Sequence, residues 1–478
     1  MANSKLPIVG LLLIASPRFR NLGEGTERGT YQSRKQREAE QIAKALGRDM
    51  DVSFPGVIYE SADLHRALAS FKAARVDFVF AEFMSWSEDA TWIEFLREDV
   101  GVPVLFAHII RKDIGFSNTD AEDDFIEFLS AGGLVGTLEG SGSVGRVKNG
   151  QISSVLGGLE RVLDETRKFG RAAAARSALR NSKLGLVGNY NELMWSTYVD
   201  PYNIFAKLGP TVHFISYSDL ASEVLRVPDG DAGAYVKHLR ERHSVLPDLD
   251  ELKFLESARA SLALARIAER MNLDIMVLND VDHALFRAIG LRPGFYPDYF
   301  NKNASVLVPE GDMGAGIAAY LLKMFSGKNV NFIEPFYIDS ANGTFVAGHA
   351  GPNDHCDASI ATCVKIARDV RFAKTDYKFA GAPFAWQVFA PGEKTMLHIS
   401  ENNGQFKMIC TMVEALECKH FLASYSHGVF RPKLPVANLF EQIIKIGSTQ
   451  HFVIADGDWR DDLRHLSDMC SIEFHNLN

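Results

Sequence analysis

Short, unbroken apolar runs alternate with helix-forming segments through the N-terminal part of the chain. "PIVGLLLIA", "DVSFPGVIY", "VDFVFAEF" and "VPVLFAHII" read as strands. Between them lie a helix over about Gln32–Leu46, the segment "SADLHRALASFKAA" with Ser61 as its cap, and "DATWIEFLRED". Strands that are apolar on both faces and separated by helices predict a parallel sheet covered on both sides. Such sheets present ligand-binding residues at the carboxyl ends of their strands. Here those positions are Pro17–Arg20, Phe83–Glu88 and His108–Arg111. Arg18 and Arg20 could read an anionic group, with a solvated loop as the plain alternative.

A long helix is expected over about Gln151–Ser177, closing a first α/β domain at 1–178. "SKLGLVGNY", "TVHFIS", the helical stretch Glu251–Asn272 and "LDIMVLND" predict a second α/β domain over 179–325. The texture changes after Phe325. "NVNFIEPFYIDSANGTFVAGHAG" alternates around an Asn342-Gly343 turn, a hairpin signature. "APFAWQVFA", "KTMLHISEN" and "QFKMICTMVEAL" continue in that style, predicting a mostly antiparallel, β-rich domain over 326–478. "PVANLFEQII" reads as a helix and "STQHFVIADGDW" as a closing strand and loop.

Composition narrows the function classes. With 478 residues, 46% hydrophobic and 23% charged, the chain is ordinary globular material of several domains. A net charge of −9 gives no reason to expect a nucleic-acid partner. No run reaches the roughly 18–20 apolar residues of a membrane span. The run Ile8–Ala15 ends in Ser-Pro-Arg rather than a cleavage signature. The 5 cysteines contain no CxxC pair and read as reduced thiols, so a cytoplasmic location is expected. Neither "EGSGSVG" nor "GDMGAG" has the strand-then-helix context of a nucleotide loop.

Four side chains stand out as candidates, though no short metal motif covers them: Glu310, Glu334, His349 and His451. Two carboxylates and two imidazoles suit a divalent ion such as Mn²⁺, with room for two substrate oxygens. Taken singly, each has a plainer reading. Glu310 could open a helix, a role Asp312 could fill equally. Glu334 could be a solvated strand end, and His349 and His451 satisfied structural histidines. Asp280, Asp282 and His283 resemble a metal cluster by composition, with a structural role favoured. Asp354, His355 and Asp357 form a polar knot that could contact substrate or merely turn the chain.

"PEGDMGAGIAAYLLKMFSGK", "NFIEPFYID", "VAGH", "KLPVANLF" and "GSTQHFVIADGD" together resemble the L-arabinose isomerase family, within the wider L-arabinose/L-fucose isomerase group. The resemblance is clear from about Val306 onward. It implies two tandem Rossmann-like domains followed by the β-rich domain. It further implies a Mn²⁺-type ion (Mg²⁺ and Co²⁺ being alternatives) on Glu310, Glu334, His349 and His451. Glu310 and Glu334 are then the acid/base pair of an aldose–ketose isomerase working through an enediol. Phe83, Trp86, Asn189, Tyr190 and His355 become candidate substrate contacts. The first-domain residues among them would act at a neighbouring subunit of a trimer or hexamer. Gln450 stands where the family often has a second histidine. The competing expectation is a noncatalytic sugar-binding or regulatory homologue of the same fold.

Overall fold

The computed structural model describes residues 6–98, 100–111, 120–146, 152–356 and 363–478. The chain divides into two compact units, Lys5–Ser177 and Ala178–Asn478. The first holds a five-stranded parallel sheet built from β1 (Ile8–Ile14), β2 (Asp51–Ser53), β3 (Phe78–Phe83), β4 (Val104–Ile109) and β5 (Ile152–Gly157), in the order β2-β1-β3-β4-β5. The central strands β1 and β3 are buried along nearly their whole length, as their unbroken apolar sequences require.

Two expectations need correcting in this unit. The helix expected from Gln151 begins only at Leu159, and the preceding "ISSVLG" is the edge strand β5. Its serines are tolerated because an edge strand is wet on one side; Gln151 itself lies outside the described residues. Ser61 is the first helical residue rather than the cap. Glu60 precedes the helix, and its N–H donates to Asp63 Oδ2 at 3.2 Å.

The second unit contains a four-stranded parallel sheet, order β10-β9-β6-β7, from β6 (Lys183–Val187), β7 (Thr211–Ile215), β9 (Ile275–Leu278) and β10 (Val306–Val308). β8 (Ser244–Val245) joins β13 (Val364–Arg368) and β14 (Pro383–Gln387) in a small sheet of its own. The remaining strands are β11 (Val330–Asp339), β12 (Thr344–His349), β15 (Gly392–Asn402), β16 (Gln405–Leu416), β17 (Ser426–Pro432), β18 (Phe452–Asp456) and β19 (Glu473–Asn476). They follow the order β15-β18-β11-β12-β17-β16-β19, and β15 also pairs with β16. That extra pairing closes an antiparallel barrel, which removes the exposed edges an open sheet would leave.

The hairpin expected at Asn342-Gly343 joins β11 to β12, with the Asp339 carboxylate accepting from the N–H groups of Ala341 and Asn342. The chain does not end on the β18 strand and loop. A helix Arg460–Cys470 follows, and β19 then adds parallel to β16. No helix among the described residues is long and apolar enough to cross a membrane.

The helix Met313–Ser326 links the parallel sheet to the barrel and is buried almost throughout. This explains its sequence of glycines and apolar residues on every face. A Cβ at Gly314 would come within 2.4 Å of the Ile399 carbonyl on β15, so only glycine allows that approach.

Candidate metal centre

Strand β10 delivers the chain at its carboxyl end to Pro309, Glu310 and Gly311. Both Glu310 (φ +63°) and Gly311 (φ +72°) are left-handed. For a glutamate this conformation costs of order 1–3 kcal/mol, and the surroundings must enforce it. Glu310 N donates to Asp280 Oδ1 at 2.8 Å, and Asn191 Nδ2 donates to the Glu310 carbonyl at 3.2 Å. Gly311 N donates to the Leu278 carbonyl at 3.1 Å. Asp280 is itself buried and paired with Arg292, whose Nη2 donates to the Ala350 carbonyl at 2.9 Å. Glu310 thus reaches its position clamped on both sides of its peptide.

The other three side chains come from adjacent barrel strands. Glu334 on β11 lies opposite Gly348 on β12, and its neighbour Ile333 lies opposite Phe452 on β18. His349 ends β12 and His451 immediately precedes β18. A Cβ at Gly348 would fall 2.0 Å from the Ser426 carbonyl, so glycine is needed beside His349 for β12 to pair with β17.

The four side chains converge. One donor atom from each of Glu310, Glu334, His349 and His451 lies within 4.8 Å of all the others. His349 Nε2 is 3.0 Å from Glu310 Oε1 and 3.8 Å from Glu334 Oε2. His451 Nε2 is 3.0 Å from Glu310 Oε2 and 3.5 Å from Glu334 Oε1. The Phe332 ring packs against both imidazoles, with centroid separations of 4.6 and 4.7 Å, and forms an apolar wall. Glu310, His349 and His451 are buried, while the Glu334 side chain keeps 25% exposure and marks the open side.

The electrostatics follow from this crowding. Burial alone would raise the Glu310 carboxyl, but the imidazoles of His349 and His451 outweigh it and hold the group well below the usual range. Burial alone would lower His451, yet the carboxylates of Asp312, Glu310 and Glu334 raise it well above an ordinary imidazole. The site therefore stabilises positive charge at its centre, the property a cation site needs. Nitrogen and carboxylate donors without thiolate fit a divalent ion of the Mn²⁺, Co²⁺ or Mg²⁺ kind.

Asp312 starts the helix as its sequence allowed, and several neighbours make contacts with the cluster that were not identified from sequence. Asp312 Oδ2 is 2.8 Å from His451 Nδ1, while its Oδ1 accepts from Ala315 N at 2.9 Å and caps the helix. His398 Nδ1 donates to the His451 carbonyl at 2.7 Å. Gln450, beside His451, places its Nε2 2.9 Å from Met194 Sδ.

The remaining candidates are distributed differently. Asn189 is exposed, and its carbonyl accepts from Asn279 Nδ2 at 3.0 Å. Tyr190 donates to the Val199 carbonyl at 3.2 Å and stacks on Tyr198. Phe83 is a core residue of the first unit, enclosed by Trp92 and Phe106 with 1% exposure, because its side chain points into the sheet–helix interface. Trp86 is half-buried against Phe19, with the Arg18 guanidinium 5.7 Å away.

His355 is buried and accepts from Tyr296 N at 3.2 Å, a structural role, and burial holds its pKa well below the ordinary value. Asp354 pairs with Lys323 at 3.0 Å, and Asp357 lies outside the described residues. Asp282 caps the helix His283–Ile289, and Asp280 serves Glu310; among the described residues these do not group into a second ion site. Arg18 pairs with Glu88, and Arg20 with Glu60 and Asp63.

An α/β protein with a closed β-barrel and a largely buried Glu₂His₂ cluster able to hold a cation is the class these features define. No family model matches the chain. The chain is similar to the sulfoquinovose isomerases of Priestia aryabhattai and Priestia megaterium, each 21% identical over 301 residues. The match covers 62% of this chain and 64% of either relative. The similarity is thus to sugar isomerases in general terms, without singling out L-arabinose isomerase as the sequence motifs suggested.

Proposed function

We propose that the protein is a metal-dependent aldose–ketose isomerase acting on an open-chain monosaccharide through an enediol. The convergence of Glu310, Glu334, His349 and His451 carries this reading. The similarity to sulfoquinovose isomerases supports the same class. These four residues would hold a Mn²⁺-type ion, which when bound would supply electrophilic stabilisation of charge developing on the sugar carbonyl.

The chain's own residues do the proton work. Glu334, the partly open carboxylate, takes the proton from the carbon next to the carbonyl and returns it to the neighbouring carbon. Glu310, buried between two imidazoles, manages the hydroxyl proton. Phe332 keeps water from the inner side of the site. The clamp of Asp280 and Asn191 fixes Glu310, so no reorganisation is needed during reaction.

The test is ketose formation from a panel of pentoses, hexoses, 6-deoxyhexoses, tetroses and sulfoquinovose, with Mn²⁺, Co²⁺ or Mg²⁺ and with chelator. Metal-dependent ketose formation from at least one sugar is expected. A protein that binds the ion yet converts none of them would contradict the assignment.

A further inference from the structure

The two imidazoles of the site are held differently. His349 Nδ1 is buried and has no hydrogen-bond partner among the described residues. His451 Nδ1 meets the carboxylate of Asp312 at 2.8 Å, and both groups are buried. Asp312 cannot drift, because its other oxygen caps the helix Met313–Ser326 through Ala315 N.

A carboxylate can only accept, so it holds a proton on Nδ1. Nε2 faces Glu310 and Glu334, and with an ion seated between them it is the nitrogen that would give its lone pair to the ion. We propose that Asp312 is the positioning residue of the metal centre: it fixes His451 in the Nδ1-protonated tautomer and thereby makes His451 the anchoring nitrogen donor. This rests on the metal reading of the four-residue cluster.

The helix N-terminus then has two tasks on one side chain. One Asp312 oxygen starts the helix and the other orients the ligand, so ligand geometry is tied to the element that links the parallel sheet to the barrel. His451 is further pinned at its backbone, by His398 Nδ1 on the carbonyl and by its own N–H to Thr449 Oγ1 at 3.3 Å. The ring itself is held at its two nitrogens, by Asp312 Oδ2 2.8 Å from Nδ1 and Glu310 Oε2 3.0 Å from Nε2.

Asp312→Asn separates the two tasks. Asparagine caps helices as well as aspartate does, so its Oδ1 retains Ala315 N. Its NH₂ then faces His451 Nδ1, which must accept, and the proton moves to Nε2 where it blocks the ion. Co²⁺ titration of the full chain, followed by visible absorption, is expected to show affinity about 10–100-fold weaker for D312N than for wild type. The melting temperature without metal should stay close to wild type.

Equal Co²⁺ affinity in the two proteins overturns the role of Asp312. Failure of wild type to bind Co²⁺ at all overturns the metal reading instead. A second measurement needs no variant: long-range ¹H–¹⁵N correlation on ¹⁵N-histidine-labelled wild type loaded with Zn²⁺. The proton of His451 should be on Nδ1; finding it on Nε2 overturns the proposal whatever D312N does.

Discussion

Glu310 concentrates the demands of the site on one residue. Its carboxylate must lie between two imidazoles, and its backbone must be left-handed to put it there. Glu310→Gln and Glu334→Gln are each expected to cut turnover by about 10²–10⁴-fold, the range for loss of a positioned acid or base, with the circular dichroism spectrum unchanged. The clamp should separate by chemistry. Asp280→Ala leaves the buried Arg292 guanidinium without its partner and is expected to cost about 3–5 kcal/mol in urea unfolding. Asn191→Ala removes one neutral hydrogen bond and should cost about 1 kcal/mol. Equal losses would mean that the Asp280–Arg292 pair contributes no more than an ordinary hydrogen bond.

Among elements, β12 and its neighbours decide whether the ligands meet. Gly348→Ala puts a methyl against the Ser426 carbonyl and should destabilise by about 1–3 kcal/mol, while weakening metal affinity through His349. Unchanged affinity would show that β12 tolerates displacement. In the first unit, burial pushes the Glu82 carboxyl on β3 from its ordinary 4.5 up to about 7. The unfolded chain loses this proton near its ordinary value, whereas the folded chain keeps it until about pH 7. Glu82 therefore lowers stability as pH rises from about 4.5 to about 7 and adds no slope above that. Glu82→Gln should gain stability relative to wild type across that window, read by denaturant unfolding at pH 5 and pH 8. A constant difference would contradict the assignment.

Much at this scale was legible beforehand. β1, β3, β4 and β9 announce themselves as continuous apolar runs, and the β11–β12 hairpin by its Asn-Gly turn. The edge strand β5 was hidden by its serines, and closure of β15 onto β16 and β18 is a tertiary event with no local signature. The four cluster residues were readable only through motif resemblance, because their spacing along the chain follows no short metal motif. Asp312, Asp280 and Asn191 acquire their roles only when distant strands meet, so local sequence marks them as caps and loop residues.

For the whole molecule, a ligand that binds only the folded state stabilises it by mass action, about 2.7 kcal/mol at a hundred times the dissociation constant. All four candidate ligands belong to the unit Ala178–Asn478. Mn²⁺ should therefore slow hydrogen exchange in β10, β11, β12, β18 and the helix Met313–Ser326. Protection confined to Lys5–Ser177 would place the ion elsewhere. Proton abstraction by a carboxylate at this cluster is tested most directly by solvent exchange. The Mn²⁺-loaded protein is incubated in D₂O with the sugar panel, freed of metal and protein, and the C2 position is read by NMR. Metal-dependent deuterium at C2 in wild type, abolished in Glu334→Gln, is the predicted result. Absence of both exchange and ketose formation with every sugar, or exchange that persists undiminished in Glu334→Gln, would contradict it.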